Sequence, residues 1–379
     1  MVRRFERHDY VLVGGGLQNG LIALAIRARQ PHATIAIVER GAQLGGNHTW
    51  CFHDDVPAWV APAVVASWRG YDVAFPGLQR GVAAPYACVT SASLAREVER
   101  AGVEVMTRTS AVDISARRVR TDRGELHARA VIDARGPDQI DPRDAGWQKF
   151  VGREVVLRAP HGMTRPLLMD ATVHQRDGFT FVYVLPLAPD RLLVEDTSFS
   201  DSTYLDVAAG RDAVDAYCRA RGWDVAEVVR EETGVLPMPW RYPLPEPVAP
   251  LVAGYAGGWF HPVTGYSFPI AARLAAAIAS VSPDDIAGAV APLAREHARQ
   301  FKFALRLSSM LFRWFAPAQR FRVLERFYRL PEPTISRFYA LDMTGADRAR
   351  MLCGRPPRGL SLSRMLLPRA RAIPTGAFQ

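Results

Sequence analysis

Cysteine is scarce in this sequence, and the usual patterns that hold metals are missing. Its four cysteines lie far apart and form no C-x-x-C pair: Cys51, Cys88, Cys218 and Cys353. Neither a zinc site nor a disulfide framework is therefore expected, and the composition fits a reducing, cytoplasmic compartment. No two histidines stand four residues apart or as H-x-H, so no other metal centre is expected.

Long apolar segments are missing as well. No stretch offers the roughly 18 uncharged apolar residues that a transmembrane helix needs. The short run Val11–Val13 leads directly into glycines, so a signal peptide is not expected either. Hydrophobic residues make up 49% of the 379 residues and charged residues only 22%, which argues against disorder and allows a sizeable core. Any contact with a membrane is therefore expected to be peripheral.

The net charge of +9 is concentrated at the C-terminal end. Residues 301–379 contain 15 Lys/Arg and 4 Asp/Glu, whereas the first 300 residues contain 32 and 34. In FKFALRLSSMLFRWFAPAQRFRVLERFYRL, arginines stand among bulky apolar residues, as in helices that lie on an anionic bilayer. A helix that packs between domains with solvated arginines fits equally well, and both interpretations stay open. Nucleic acid is not expected, because no helix-turn-helix or RNA-binding signature accompanies the charge.

The order of predicted elements indicates a nucleotide-binding unit interrupted by a β-rich insertion. Residues 1–150 start as strand, glycine turn, helix and strand (YVLVG, LIALAIRARQ, TIAIVER), which is a βαβ unit. Residues 151–248 contain runs spaced as successive antiparallel strands: GREVVLRAP, RPLLMDATV, FTFVYVLPL and RLLVEDTSF. Residues 249–290 return to strand, glycine loop and helix. Residues 291–379 form a basic helical region, which is the candidate for membrane contact.

The first turn carries an incomplete dinucleotide fingerprint. Gly14 and Gly16 occupy the first and third places of G-x-G-x-x-G, but Asn19 holds the last place and Gly20 follows it. The first two glycines permit the tight turn and the approach of a pyrophosphate, whereas the last one serves helix–strand packing. Asn19 therefore affects packing more than phosphate binding, and Gly20 is expected to take over part of that role. Glu39 closes the second strand, where an acid that bonds ribose hydroxyls is expected.

Two later elements favour FAD over NAD as the dinucleotide. The strand-to-glycine run VIDARG is similar to the second dinucleotide contact of FAD-dependent hydroxylases. The run HPVTGYSFPIAARLA places a loop and a helix N-terminus late in the chain, where such folds approach the flavin. An enzyme that uses only NAD needs neither element.

Long motifs of unusual composition lie along nearly the whole chain: VGGGLQNGLIAL, GGNHTWCFHDDV, VIDARGP, GWQKFVGREV, LMDATVHQRDGFTFVYVLPL, LLVEDTSFSD, EETGVLPMPW and HPVTGYSFPIAARLA. Together they resemble the motifs of the bacterial lycopene β-cyclase family, the carotenoid enzymes that close β-ionone rings. Asn19 is normal for this family. The resemblance implies a glutathione-reductase-like α/β flavoprotein with two dinucleotide-binding parts, an inserted antiparallel sheet for substrate and a helical C-terminal region.

The resemblance also implies the cofactors and the reaction. FAD is bound without a covalent bond and works in its reduced form, with NAD(P)H as the electron source. The ψ-ends of lycopene are closed to β-rings, through γ-carotene to β-carotene, without net redox change. The expected FAD-binding residues are Gly14, Gly16, Leu17, Asn19, Glu39, Arg40, His48, Asp133, Gly136, Thr264, Gly265, Tyr266 and Ser267.

Ring closure requires an acid. A proton added at C2 leaves a cation at C1, the C5=C6 bond attacks it, and a proton then leaves C6. Glu195, in LLVEDT, ends an apolar strand, and an apolar pocket would raise its pKa and keep it protonated. From the residues alone a solvated acid is the more common outcome, but this glutamate is the one that the family's catalytic motif picks out. Asp196 is expected to support Glu195 or to be structural. His261 is a candidate base or a structural hydrogen-bonding residue.

Several alternatives stay open on sequence alone. Either Glu195 or the reduced flavin could deliver the proton, and the flavin could instead stabilise the cation electrostatically. Phe179, Phe181 and Tyr183 alternate along one strand and could line a polyene pocket or simply fill the core. The rival functions are an FAD-dependent monooxygenase or desaturase acting on a lipophilic substrate, and a membrane-bound carotenoid carrier without catalysis.

Overall fold

The structure is a computed structural model and describes residues 7–53, 56–136, 140–354 and 357–361. The strands in this part of the chain are β1 (Arg7–Val13), β2 (Ile35–Val38), β3 (Thr49–Phe52), β4 (Val64–Trp68), β5 (Tyr71–Phe75), β6 (Leu78–Val82), β7 (Tyr86–Thr90), β8 (Glu104–Met106), β9 (Ala111–Ser115), β10 (Arg118–Thr121), β11 (Gly124–Asp133), β12 (Ala145–Leu157), β13 (Leu167–Asp170), β14 (Phe179–Ala188), β15 (Arg191–Ser200), β16 (Val225–Pro239) and β17 (Leu251–Val252). The α-helices are α1 (Leu17–Arg29), α2 (Ser91–Arg100), α3 (Val207–Ala220), α4 (Phe268–Ala279), α5 (Ile286–Trp314), α6 (Phe321–Phe327), α7 (Glu332–Tyr339) and α8 (Gly345–Leu352).

The first sheet contains the predicted βαβ unit. Its strand order is β8-β2-β1-β11-β10-β9, and β17 also pairs with β11. The central strand β1 runs parallel to both β2 and β11, and its residues Tyr10–Val13 are buried. Burial of consecutive residues is expected for a parallel strand that is covered on both faces. On one face α1 packs against α4, where the Gln18 side chain donates to the Ala271 carbonyl oxygen at 3.1 Å.

The second sheet has the strand order β16-β12-β15-β14-β13-β5-β6. The runs that become β13, β14 and β15 pair as successive antiparallel strands, as predicted, but β12 pairs with β15 and β16 and not with β13. β13 instead runs parallel to β5. The hairpin of β5 and β6 comes from residues 71–82, within the range predicted for the nucleotide-binding half. Residues far apart in sequence therefore build one face of this sheet.

A third, small sheet connects the other two. Its order is β3-β7-β4. The Phe52 ring of β3 stacks on the Phe268 ring at the start of α4, with centroids 3.7 Å apart. This contact fixes the loop before β3 beside the loop before α4, and both loops reach the cavity described below.

The C-terminal helices pack against the second sheet. The Ser308 hydroxyl of α5 donates to the Met238 carbonyl oxygen of β16 at 3.0 Å. Arg320, which is fully buried, donates to the carbonyl oxygens of Phe199 and Phe312, each at 3.1 Å. Among the helices in the described ranges, none combines the length and hydrophobicity that crossing a bilayer requires. Residues 362–379 of the predicted basic region lie outside the described part.

Candidate active site

A cavity of about 790 Å³ lies between the first and second sheets. The loops after β1, β2 and β11 form one wall, and the inward faces of β12, β14, β15 and β16 form the other. The predicted site residues that line it are Gly14, Gly16, Leu17, Glu39, Arg40, His48, Gly136, Glu195, Thr264, Gly265, Tyr266 and Ser267. The cavity lining does not include Asn19, Asp133, Asp196 or His261.

The turn from β1 into α1 explains why glycines stand there. Gly14 has a φ of 97°, and a Cβ on it would lie 2.8 Å from the carbonyl oxygen of Ala134. Only glycine accepts that conformation and that close approach without strain. At Gly16, in contrast, an added Cβ would meet nothing within 4 Å. α1 then begins with no side-chain cap and no acidic residue in its first turn, so its first amides and its dipole favour an anion.

Asn19 holds this turn from behind. It is fully buried, and its amide nitrogen donates to the carbonyl oxygens of Val13 at 2.9 Å and of Gly14 at 2.7 Å. Gly20 allows a close contact, because a Cβ there would lie 2.7 Å from the Leu94 side chain of α2. In this chain the glycine one place late therefore serves helix–helix packing, and the asparagine supports the loop backbone.

Glu39 stands at the end of β2 and faces the cavity. Its carboxylate accepts hydrogen bonds from the backbone amides of Gly15 at 2.6 Å and Gly41 at 2.5 Å. A carboxylate has about four acceptor positions, so its oxygens retain capacity for a further donor. The backbone bonds fix the side chain beside the glycine turn, which is where the sequence predicts a ribose.

Two of the predicted FAD-binding residues lie at or just after the end of β11, and only one of them lines the cavity. The Asp133 carboxylate accepts two bonds from the Arg135 guanidinium, at 2.9 and 2.8 Å, and therefore serves a local ion pair. Gly136 lines the cavity, and a Cβ on it would meet nothing within 4 Å.

The loop before α4 lines the middle of the cavity. Its four predicted residues, Thr264–Ser267, all contact the cavity, whereas His261 is fully buried beneath them. The His261 Nδ1 atom accepts from the backbone amide of Val263 at 3.1 Å, and the ring packs edge-on against Phe338. Burial lowers the pKa of His261 to about 3, so the ring is neutral. This placement favours the structural role among the two that the sequence allows.

Glu195 lies at the other end of the cavity, on β15. Only 8% of the residue is exposed, and one carboxyl oxygen accepts from the Thr197 hydroxyl at 2.6 Å. Burial, and next the nearby charge of Glu232, raise the pKa of Glu195 to about 8. The carboxyl group is therefore protonated at neutral pH, and a proton is held at the wall of an apolar cavity.

Asp196 belongs to the opposite face of β15, because successive side chains alternate along a strand. Its carboxylate pairs with the Arg176 guanidinium. Burial raises the pKa of Asp196, although Arg176 acts in the opposite direction. Asp196 therefore does not share the cavity with Glu195.

Glu232, on β16, lines the cavity and was missed by sequence reasoning. Its carboxylate pairs with Arg230 at 2.5 Å and accepts from the Thr49 hydroxyl at 3.0 Å. One local pattern could have indicated it: in REE the arginine stands two residues before Glu232, so a strand places both side chains on the same face. Only the pairing of β12 with both β15 and β16 shows that this face also carries Glu195.

Aromatic side chains cover the wall around Glu195. Of the three alternating aromatics, Phe181 and Tyr183 line the cavity, whereas Phe179 is buried against Phe75 and Phe199. Tyr183 stands directly opposite Glu195 on the neighbouring strand. The cavity thus joins a glycine-rich, amide-lined end to an apolar, aromatic end that holds one neutral acid.

Comparison with known proteins identifies the family. The family model described as lycopene cyclase protein matches residues 9–365. The chain belongs to the lycopene cyclase family. It is 42% identical to the lycopene beta-cyclase of Pseudescherichia vulneris over 364 residues, covering 92% of this chain and 94% of that protein. It is 40% identical to the lycopene beta-cyclase of Pantoea ananas over 368 residues, covering 92% and 95%.

Solved structures show the same mixed α/β fold for this lycopene cyclase family member. A geranylgeranyl bacteriochlorophyll reductase-like protein from Thermoplasma acidophilum aligns with a TM-score of 0.59 at 14% identity, covering 92% of this chain and 96% of that one. A flavin-dependent brominase aligns with a TM-score of 0.57 at 13% identity, covering 89% and 94%. The p-nitrophenol 4-monooxygenase of Pseudomonas putida DLL-E4 aligns with a TM-score of 0.58 at 13% identity, covering 89% and 99%. At these identities the likeness concerns the fold.

Two features of the cavity test whether this cyclase-family chain can hold a flavin dinucleotide. The open space beside Gly16 and the uncapped start of α1 fit a pyrophosphate. The side-chain oxygens of Gln18 and Gln148 are buried at the cavity without a hydrogen-bond partner among the described residues. Buried acceptors of this kind need a donor, and FAD carries N–H and O–H donors along its length. The residues present therefore fit FAD.

Proposed function

We propose that this protein is a lycopene β-cyclase that closes the ψ-ends of its substrate by acid catalysis with reduced FAD bound. One observation carries the proposal: a single neutral carboxyl group, Glu195, faces an aromatic cavity that continues into a dinucleotide cradle. Proteins that are 40–42% identical over nearly the whole chain are named lycopene beta-cyclases. The implied route from lycopene passes through γ-carotene to β-carotene.

Glu195 supplies the proton at C2 of the ψ-end. With its pKa at about 8, the carboxyl group stays protonated at neutral pH until an electron-rich double bond comes near. Protonation leaves a cation at C1, the C5=C6 bond closes the ring, and a proton leaves C6. Atoms and electrons balance without an oxidant, because one proton enters and one leaves. The reaction is an isomerisation.

Phe181 and Tyr183 line this part of the cavity, so in the proposal they exclude water and place aromatic rings beside the cation. Exclusion of water matters, because water that adds to the cation at C1 and then loses a proton would give an alcohol before the ring closes. FAD, when bound in its reduced form, supplies an electron-rich ring that stabilises positive charge electrostatically in a dry site. NAD(P)H is the proposed source of its electrons.

The parts of the chain divide this work in the proposal. Residues 1–150 and 249–290 supply the FAD cradle through Gly14, Gly16 and the loop before α4. Residues 151–248 supply most of the wall that faces the substrate. Such a division corresponds to the two-part, glutathione-reductase-like flavoproteins, in which an antiparallel sheet is inserted for substrate.

The electron balance distinguishes the cyclase from a monooxygenase or desaturase. Anaerobically, protein reduced with dithionite is expected to convert lycopene to β-carotene over many turnovers without NAD(P)H, because ring closure consumes no electrons. Product analysis by chromatography, with the flavin spectrum recorded before and after, checks this expectation. A requirement for one NAD(P)H per ring, or for oxygen, would remove the cyclase proposal. A carrier without catalysis would return lycopene unchanged.

We further infer that the exposed face of α5 contacts an anionic membrane surface. Its cations follow a helical spacing on one side and are all exposed: Arg295, Arg299, Lys302, Arg306 and Arg313. Only Glu296 lies among them as an exposed acid, and it pairs with Arg299. Such a surface would bring the protein to its proposed substrate, because the lipophilic polyene is dissolved in the bilayer.

Removing three of these charges is expected to weaken binding to anionic vesicles by roughly a hundredfold, because each cation near the surface contributes about 1 kcal/mol. The variant is Arg295→Gln/Lys302→Gln/Arg306→Gln, measured by co-sedimentation with phosphatidylserine-containing vesicles. Its control removes three exposed arginines elsewhere, Arg96, Arg120 and Arg123, and is expected to bind like wild type. Equal loss in both variants, or no loss in either, would contradict this assignment of the surface.

A further inference from the structure

A glycine on β12, the strand that lies between β15 and β16 in the second sheet, stands between two glutamates. Gly152 of β12 pairs with Glu195 of β15 on one side and with Glu232 of β16 on the other. A Cβ on Gly152 would lie 3.3 Å from Oε2 of Glu195 and 3.1 Å from Cγ of Glu232. Both side chains therefore reach the same position on the strand, and Gly152 places no side chain between them. Both line the cavity.

Their surroundings differ in charge. Glu232 is held by the Arg230 guanidinium, which also donates to Glu154 at 2.8 Å, and Glu154 pairs in turn with Arg191. Glu232 is therefore paired directly with a cation. Glu195 has the Thr197 hydroxyl as a donor and no ion pair among the described residues. When two carboxyl groups share a site with unequal partners, one stays ionised and the other holds the proton.

Other groups around Glu195 act less strongly or in the opposite direction. Asp196 follows on the same strand and also disfavours the charged form of Glu195, but it is directed to the other face, towards Arg176. Arg230 favours the charged form, and its effect ranks below that of Glu232. From β14 Tyr183 stands opposite Glu195, and from the loop before β3 His48 lies in the cavity wall.

We propose that Glu232 is a positioning residue for the cyclisation: its carboxylate, anchored by Arg230, keeps the proton on Glu195 across the gap left by Gly152. The inference rests on the proposed function, because it gives Glu195 a proton to deliver. It also adds what the function alone does not require, namely that the acid is set by a second carboxylate from another strand.

The test is the pH dependence of Glu232→Gln. Wild-type cyclisation is expected to fall as pH rises through the raised pKa of Glu195, about 8, since the acid is lost there. Glu232→Gln removes the neighbouring negative charge and partly releases Arg230, so the pKa of Glu195 falls. The alkaline limb of the pH–rate profile is therefore expected to move to lower pH by about one unit or more. Well below that limb Glu195 is protonated in both proteins, so a change of rate there reports the strength or placement of the acid and is read separately from the movement of the limb.

Two matched variants separate this role from a structural one. Glu154→Gln removes a neighbouring carboxylate from the same arginine, so it is expected to lower stability without moving the pH limb. Glu232→Asp keeps a carboxylate that can pair with Arg230 but shortens the side chain by one methylene, so the charge lies farther from Glu195. The limb is expected to move in the same direction by a smaller amount. This variant also serves if Glu232→Gln does not fold. An unmoved limb in both Glu232 variants overturns the proposal.

A second measurement does not depend on turnover. Infrared difference spectra follow the carboxylic-acid carbonyl band of Glu195, which is identified by its absence from Glu195→Gln. In Glu232→Gln this band is expected to disappear at lower pH than in wild type, and an unchanged titration overturns the inference. If wild-type protein shows this titration but forms no ring, the proposed function fails while the relation between Glu195 and Glu232 stands.

Discussion

Glu195→Gln is expected to lower the rate of ring closure by about a hundredfold to ten-thousandfold, the usual contribution of a positioned general acid. Glutamine has nearly the shape of a protonated glutamic acid and can still accept from the Thr197 hydroxyl. The fold and the FAD content are therefore expected to remain those of wild type. What the variant lacks is the transferable proton. Cyclisation measured with reduced flavin, beside flavin absorbance and thermal unfolding, checks all three expectations.

Asp196→Asn is the matched control, since it makes the same chemical change one residue away on the opposite face of β15. Its activity is expected to stay within a few-fold of wild type, and any loss should follow from stability through the broken pair with Arg176. If Glu195→Gln kept more than about a tenth of the wild-type rate, Glu195 would not be the acid. Delivery of the proton by the bound flavin would then become the better account.

The two glycines of the first turn are expected to respond differently to alanine. In Gly16→Ala the new Cβ points into open space, so the protein without FAD should unfold at the wild-type temperature. The same Cβ stands where a pyrophosphate must approach the backbone, so FAD affinity is expected to fall roughly tenfold to a hundredfold. Gel filtration followed by flavin absorbance measures the retained FAD.

Gly14→Ala serves as the comparison, because its Cβ would strike the Ala134 carbonyl in a backbone conformation that alanine rarely adopts. Strain of this kind costs on the order of 1–3 kcal/mol, so a lower unfolding temperature is expected even without FAD. Full retention of FAD by Gly16→Ala would show that the cradle is not where the pyrophosphate lies. A lower unfolding temperature for that variant without FAD would contradict the geometry at this turn.

Local patterns were enough to predict the glycine turn and its placement. The strand, turn and helix around Gly14 and Gly16 are contiguous, so their geometry follows from a short stretch of sequence. The period of a strand also shows why Glu195 and Asp196 cannot both face one cavity. Asp196 was expected to support Glu195 or to be structural, and the sequence alone does not show which of the two side chains faces the cavity. The family's motif favoured Glu195, and the structure places that residue in the cavity wall.

The order in which the strands pair in the second sheet could not be predicted from the sequence. Gly152, Glu195 and Glu232 meet because β12 lies between β15 and β16, and no local pattern specifies that order. The run GREVVLRAP reads as a strand, but its neighbours depend on which faces are buried together in the complete fold. The orientation of His261 could not be predicted either, since a histidine in a glycine-rich loop can face a cavity or lie beneath it.

The central claim, that an exchangeable proton delivered in the site closes the ring without net oxidation, is tested most directly by running the anaerobic assay in deuterated buffer. The Glu195 carboxyl group exchanges with solvent, so each ring formed is expected to carry one deuterium at C2, with no NAD(P)H consumed and the flavin still reduced. Mass spectrometry and NMR of the product measure this. Unlabelled rings, or a product that has lost hydrogen or gained oxygen, would contradict the account.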